Sequence, residues 1–178
     1  MSSSISELYI LESVKSFKGL KSNAEKAMEQ LSDSQLHEFP DEESNNVAII
    51  VNHMAGNMLS RFTDFLISDG EKPERNRDGE FIDNFQARKD LMHHWEKGWH
   101  CLFDTLNSLK AEDLDKNVLI RNEKHTVLRA IHRQLTHYAY HIGQIVFLCK
   151  NLKQKEFKSL SIAKGESLNF LTTPPKIN

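Results

Sequence analysis

Two histidines spaced four residues apart have the clearest potential for metal chemistry in this sequence. His137 and His141 lie in the stretch 134–149, which contains no Asp, Glu, Lys or Arg. Because four residues of an α-helix turn through about 400°, the two rings share one face, one turn apart. Such a pair can chelate one ion, but an HxxxH pair alone is a weak signal, since a histidine on an apolar helix is often a hydrogen-bonded core residue.

A third histidine lies in the other long stretch without charged residues. His53 belongs to the stretch 44–60, which also lacks Asp, Glu, Lys and Arg. A helix without charges is normally enclosed by its neighbours, and an unpaired buried polar group costs about 1–3 kcal/mol. Three neutral imidazoles from two helices can satisfy this need by holding one divalent ion, with a position left open for chemistry, as in catalytic zinc sites. We therefore predict a metal site of His53, His137 and His141. Imidazoles suit zinc, nickel, copper or iron, so the ion's identity stays open.

The remaining six histidines have charged neighbours and are predicted to be exposed: His37, His93, His94, His100, His125 and His132. His132 is turned about 140° from His137 and is not expected to join the pair. His93, Glu96 and His100 share a face opposite the tryptophan stripe of their own helix. That pattern favours a solvated face over a second metal site.

The elements that must position these residues are helices. Helical periodicity predicts four of them, over residues 5–35, 45–68, 83–110 and 126–152. Each of the first three carries an apolar stripe that is expected to face the core, with Ile5, Leu8, Leu11 and Val14 in the first, Val47, Met58 and Phe62 in the second, and Trp95 and Trp99 in the third. The sequence therefore predicts an all-α, four-helix bundle that forms a single domain over residues 1–178, with a tail at about 171–178 that frays.

The connections carry fewer signals. Residues 118–125 read as a short extended piece with a turn, too small to form a sheet and with nothing to pair against. Ser44 or Asn45 is expected to cap the second helix, and Thr126 the fourth. The polar loop 71–80 is long enough to carry function, although a solvated linker is an equal alternative.

Composition excludes several classes of function. The net charge of -2 provides no basic surface for nucleic acid, the amino terminus lacks the uninterrupted apolar core of a signal peptide, and no apolar run is long enough for a membrane span. Cys101 and Cys149 are isolated thiols, which favours a reduced, cytoplasmic location. The signatures ExxH, HExxH, GxGxxG, GxSxG and the P-loop do not occur.

Beyond these patterns, the chain resembles the DinB-like (YfiT-like) superfamily of four-helix-bundle metalloproteins over nearly its whole length, and looks closest to a bacterial branch of unassigned function. The resemblance rests on three segments: Val51-Asn52-His53-Met54-Ala55-Gly56-Asn57-Met58, Arg61-Phe62 with Asp69-Gly70-Glu71-Lys72-Pro73, and His132-Arg133-Gln134-Leu135-Thr136-His137-Tyr138-Ala139-Tyr140-His141-Ile142-Gly143-Gln144. In that superfamily the histidine of helix two and the HxxxH pair of helix four bind a divalent ion, commonly zinc or nickel. The resemblance carries that role over to His53, His137 and His141.

The resemblance also implies an activity. Characterised relatives include transferases and isomerases that depend on a low-molecular-weight thiol, so a metal-dependent S-transferase that joins a small-molecule thiol to an electrophile is expected. Metal-dependent hydrolysis, or a non-catalytic, stress-associated metal-binding bundle that forms a homodimer through an apolar helix face, are the alternatives. The catalytic residues stay unassigned. Arg75 and Arg77 of the long loop are the residues predicted to bind a carboxylate of the thiol or substrate.

Overall fold

The computed structural model describes residues 4–172 and is predominantly helical. In chain order the helices are α1 (Ile5–Met28), α2 (Asp33–Leu36), α3 (Val47–Phe62), α4 (Arg88–Ser108), α5 (Val127–Lys153) and α6 (Ser167–Thr172). Single 3-10 turns lie at Asp78–Phe81, Ala111–Asp113 and Gln154–Glu156, and one hairpin is formed by β1 (Asn117–Ile120) and β2 (Glu123–Thr126). Within residues 4–172, no helix is both long and apolar enough to cross a membrane.

The four long helices close into a bundle, which confirms the predicted all-α fold. Helix α3 packs against α4 and α5, and α1 packs against α5 and α4. The centre is aromatic: the ring of Phe17 lies 6.4 Å from Trp99 and 5.9 Å from Tyr138 between centroids. At Gly98 a Cβ would lie 2.9 Å from the Cα of Ala55, so α3 and α4 approach each other as closely as their backbones allow.

The apolar stripes predicted for the second and third helices lie in the core as expected. Val47, Met58 and Phe62 of α3 are fully buried, as are Trp95 and Trp99 of α4. The stripe predicted for the first helix is buried only in part. Its first three members, Ile5, Leu8 and Leu11, are exposed, because the core begins one turn later, at Val14.

Three of the predicted helices are too long. The stretch 5–35 is two helices, because the hydroxyl of Ser32 accepts a hydrogen bond from the backbone N–H of Gln35 and begins α2. The second helix ends at Phe62 instead of residue 68, since Asp64 takes a left-handed φ of 49°. The third begins at Arg88 and ends at Ser108 instead of spanning 83–110. The fray predicted at 171–178 falls largely outside the described residues.

One capping prediction is wrong and one is confirmed. The side chain of Asn46, not Ser44 or Asn45, caps α3 by accepting from the N–H of Ile49 at 2.8 Å. Thr126 caps α5, as predicted, by accepting from the N–H of Arg129 at 3.1 Å. Both caps satisfy backbone donors that have no partner within their helix.

The extended piece at 118–125 does find a partner, which corrects the prediction that it could form no sheet. Its two halves pair with each other as an antiparallel hairpin, with Ile120 opposite Glu123. The two turn residues, Arg121 and Asn122, both have positive φ, as a type I′ turn requires. The carboxylate of Asp69 accepts from both of their backbone N–H groups, at 2.8 and 2.7 Å, and so ties the hairpin to the loop that follows α3.

Candidate metal centre

The three predicted histidines lie together where α3 faces α5. Each offers one ring nitrogen, and these three atoms all lie within 4.8 Å of one another. The Nε2 atoms of His137 and His141 are 3.0 Å apart, and the His53 ring stands edge-on to both rings, with centroids 5.6 and 5.0 Å away. The HxxxH spacing therefore brings its two rings together on one helix face, and the neighbouring helix supplies the third.

The separation of the HxxxH pair suits a shared ion. Two nitrogens bound to one zinc-like ion at about 2.0–2.1 Å, with an angle of about 90–110° between them, are about 2.8–3.4 Å apart. The observed 3.0 Å falls inside this interval. Three imidazoles without a carboxylate among them form a donor set that zinc and nickel accept.

The local electrostatics keep two of these imidazoles neutral. Burial, followed by the nearby His141 and His53 and two arginines, lowers the pKa of His137 to about 3. The pKa of His141 is also lowered, chiefly by burial, although a hydrogen bond with Gln144 acts in the opposite direction. Both rings are therefore uncharged at neutral pH, which is the form with a lone pair to give to a metal.

In two of the rings, those of His53 and His141, a hydrogen bond to Nδ1 determines which nitrogen carries that lone pair. Nδ1 of His53 lies 3.0 Å from Oε2 of Glu80, and Nδ1 of His141 lies 2.7 Å from Oε1 of Gln144. Because both oxygens are acceptors, each Nδ1 carries the proton and donates. Nε2 of His53 and of His141 is then the lone-pair nitrogen, which is the arrangement that orients histidine ligands in metal sites.

Glu80 belongs to this candidate site, although no pattern in the sequence predicted it. It lies in the 3-10 turn Asp78–Phe81, is 7% exposed, and its two oxygens each accept a hydrogen bond of 2.7 Å from the guanidinium of Arg75. Burial alone would raise its pKa, but the bonds from Arg75 and His53 outweigh that effect and lower it. Glu80 is therefore ionised and held in place from two sides.

Gly56 leaves the space that the carboxyl group of Glu80 occupies. A Cβ at Gly56 would lie 2.5 Å from Oε1 of Glu80, closer than any van der Waals contact allows. The 3-10 turn is fixed beside α3 by the side chain of Asn52, which donates to the carbonyl of Glu80 at 3.1 Å. The loop 71–80 thus folds back onto α3 beside the three histidines, so it is not simply a solvated linker.

A cavity of about 490 Å³ opens beside the three histidines. The ring of Phe81 stacks on the ring of His53, with centroids 4.7 Å apart, and covers one face of that histidine. The other lining residues come from α3, α5, the loop and the hairpin turn: Asn57, Arg61, Arg77, Arg121, Arg133, Gln134, Thr136 and Tyr140. A small molecule in this cavity would contact the histidines directly.

The two arginines predicted to bind substrate have different surroundings. The side chain of Arg75 is only 4% exposed and is engaged by Glu80 and Glu71. Arg77 lines the cavity and is half exposed, with one long contact of 3.4 Å to Glu71. Substrate binding stays a prediction for both residues, and the available cation is Arg77.

Three of the six histidines predicted to be exposed are partly buried instead: His37, His94 and His125. Nδ1 of His37 lies 2.8 Å from Asp83, and the His94 ring packs on Phe85. His93, His100 and His132 are exposed as predicted. Of all His, Cys, Asp and Glu side chains within the described range, only His53, His137 and His141 form a group of three or more close enough to hold an ion.

Helix α5 is not enclosed on every side, although its stretch 134–149 carries no charged residue. Tyr140 and Phe147 are 64% and 68% exposed, because this face of α5 points away from the bundle. The charge-free stretch of α3 is different: nearly all its residues are buried, including His53. The inference from missing charges was therefore correct for the central helix and wrong for one face of α5.

Fold and site together define a class of protein: a four-helix bundle with three converging histidines that are compatible with one metal ion. Residues 4–166 match the model of the family DUF1572, described as a protein of unknown function. Since this match covers most of the chain, the protein belongs to the DUF1572 family. No curated protein and no solved structure matches it.

Proposed function

We propose that this protein binds one divalent metal ion through His53, His137 and His141 and uses it to transfer a small thiol to an electrophilic substrate. The observation that supports this most directly is the convergence of three ring nitrogens to within 4.8 Å of one another beside an open cavity. The resemblance to DinB-like metalloproteins supports the same assignment, because it rests on the segments that carry these three histidines.

The metal's contribution is one that the chain's own groups do not supply. When bound, a divalent ion favours the deprotonated, nucleophilic form of a thiol near neutral pH. The protein's cysteines are poor substitutes: burial raises the pKa of Cys149 to about 12 and also raises that of Cys101, and neither lines the cavity. A thiol nucleophile would therefore come from a bound small molecule.

The protein's residues would hold and shape the site. Glu80 fixes the tautomer of His53, and Arg75 fixes Glu80. Phe81 shields the His53 ring, and the hydroxyl of Tyr138 donates to Asn57 at 2.9 Å in the cavity wall. In the transfer, a sulfur–carbon bond forms, the bond from carbon to the leaving group breaks, and the thiol proton leaves to solvent.

Turnover tests this proposal. Metal-free protein is loaded with zinc or nickel and mixed with the fluorogenic electrophile monochlorobimane and, in turn, bacillithiol, mycothiol or glutathione. We expect metal-dependent conjugation with one of these thiols. His141→Ala should abolish it, whereas His132→Ala, an exposed histidine on the same helix, should not.

Other outcomes point to the other activities. Metal-dependent turnover of ester or amide substrates without any thiol would replace the transferase with a hydrolase. Stoichiometric metal binding with no turnover in either assay would overturn catalysis and leave a metal-binding bundle.

A further inference from the structure

The wall of the cavity beside the histidines is strongly cationic. Four arginines line it, and no acidic side chain does so within the part of the chain that the structure describes: the arginines are Arg61, Arg77, Arg121 and Arg133. They come from α3, the long loop, the hairpin turn and α5, so four separate elements converge on one opening. Positive charge of this density, next to a predicted divalent cation, requires a counter-charge.

The protein supplies only part of that counter-charge. Three of the arginines contact a single carboxylate, that of Glu71: Arg61 and Arg121 at 3.0 Å and Arg77 at 3.4 Å. The Arg133 guanidinium makes neither an ion pair nor a hydrogen bond with any described residue. Two further carboxylates lie nearby: Asp69 holds the turn of Arg121, and Glu80 contacts His53 but is paired with Arg75. Three carboxylates therefore face five guanidinium groups once Arg75 is included, and the cavity retains a net positive charge.

The buried and accessible arginines have different roles. Arg61 is 3% exposed and donates to the carbonyl of Gly70 and to Glu71, which fixes the loop behind α3. Arg77 and Arg121 are about half exposed, and Arg133 is partly exposed, so their donors are accessible to a ligand. Guanidinium groups present paired N–H donors that match the two oxygens of a carboxylate or a phosphate.

The backbone at Arg121 is a second, independent indication. Arg121 is the first central residue of the type I′ turn and has a φ of 56°, a conformation that favours Asn, Asp or Gly. Asp69 holds the turn by accepting from the N–H of Arg121 at 2.8 Å. An arginine held in a conformation that costs stability, with its side chain lining the cavity, favours a role for its guanidinium group at this site.

We propose that Arg77, Arg121 and Arg133 bind an anionic oxygen group of the substrate, a carboxylate or a phosphate, and so position its reactive part beside the three histidines. The positioning role rests on the proposed metal-dependent function, whereas the binding of the anion does not. The substrate class is therefore a small molecule with at least one carboxylate or phosphate, small enough for this group to reach the arginines while the reacting atom lies beside the histidines.

Anion binding by metal-free protein tests this proposal separately from the metal site. Full-length protein treated with a chelator is titrated calorimetrically with sodium phosphate and, in a second arm, sodium succinate at low ionic strength. We expect binding of at least one anion, and the arm that binds distinguishes phosphate from carboxylate. Arg133→Gln and Arg121→Asn should each weaken it about tenfold. Arg129→Gln, an exposed arginine one turn earlier on α5 and outside the cavity, should change it less than twofold.

Thermal melting separates a binding role from a structural one. Arg121→Asn should leave the melting temperature unchanged or raise it, because Asn tolerates the left-handed turn. Absence of binding for both anions, or equal weakening by Arg129→Gln, would overturn the anion site even if metal binding is intact. Wild-type protein that binds the anion but takes up no metal would instead overturn only the metal site.

Discussion

The Nδ1 atom of His53 lies 3.0 Å from Oε2 of Glu80, a residue 27 positions later in the chain. This contact joins a helix to the loop that follows it, and it makes the orientation of one candidate metal ligand dependent on a loop carboxylate. The bidentate bond from Arg75 fixes Glu80 in turn.

Replacing Glu80 by glutamine should weaken metal binding. Glu80→Gln keeps the size of the side chain but removes the charge that holds the proton on Nδ1 of His53. Loss of such a partner typically lowers metal affinity about 10- to 100-fold. Competition with a chromogenic chelator measures the affinity, and Glu74→Gln, an exposed glutamate of the same loop, is the matched control. Unchanged affinity in a folded Glu80→Gln protein would show that the contact does not orient the ligand.

Gly56→Ala should reproduce this effect by a steric route. The added methyl group would lie 2.5 Å from Oε1 of Glu80 and must push the carboxylate away from His53. Metal affinity should therefore fall, and the fall should be smaller when Gly56→Ala is made in the Glu80→Gln background. Gly19→Ala, where the new methyl meets no atom within 4 Å, should leave affinity unchanged. Equal losses in both backgrounds would mean that Gly56 acts independently of Glu80.

The loop and hairpin should loosen in acid because of Asp69. Partial burial acts to raise the pKa of Asp69, but hydrogen bonds from the N–H groups of Glu71, Asn122 and Arg121 outweigh it, so its pKa lies below the ordinary value of 3.8. A lowered pKa means that the contribution to stability is complete above that ordinary value and is lost as pH falls through the folded-state pKa.

Urea unfolding as a function of pH checks this expectation. Asp69→Asn should reduce the free energy of unfolding at neutral pH and flatten its decline below about pH 4. Asp64→Asn, two residues after α3 and exposed, provides the control. A decline in acid that is equally steep in Asp69→Asn and wild type would exclude Asp69 as its source.

Gly98→Ala should destabilise the bundle itself. Its Cβ would lie 2.9 Å from the Cα of Ala55, so α3 and α4 would have to move apart. Overpacking of this kind costs about 1–3 kcal/mol, which exceeds the gain in helix propensity of about 1 kcal/mol from replacing glycine. Urea denaturation monitored by circular dichroism measures the change. Higher stability of the variant would show that the helices tolerate a wider separation.

The sequence predicted the parts of the site that obey helical geometry. His137 and His141 lie on one face of a regular helix, so their spacing alone placed them together, and the charge-free stretch around His53 correctly indicated a buried helix. The same helical angle correctly separated His132 from the pair.

The parts that depend on the path of loops were not predictable in this way. Glu80 reaches His53 only because the loop after α3 turns back onto that helix, and no local pattern encodes such a return. Arg121 reaches the cavity through a hairpin whose turn lacks glycine, so the usual turn signal was missing. Both residues become visible only when the loop and hairpin are placed in three dimensions.

The metal content of the purified protein tests the central claim most directly. Wild type, His137→Ala and His132→Ala are each purified without a metal-affinity tag and examined by elemental analysis. We expect one equivalent of a divalent transition metal in wild type and in His132→Ala, and a large loss of it in folded His137→Ala. Wild-type protein that neither contains such a metal nor takes it up from solution, or full metal content in His137→Ala, would contradict the assignment of the three histidines.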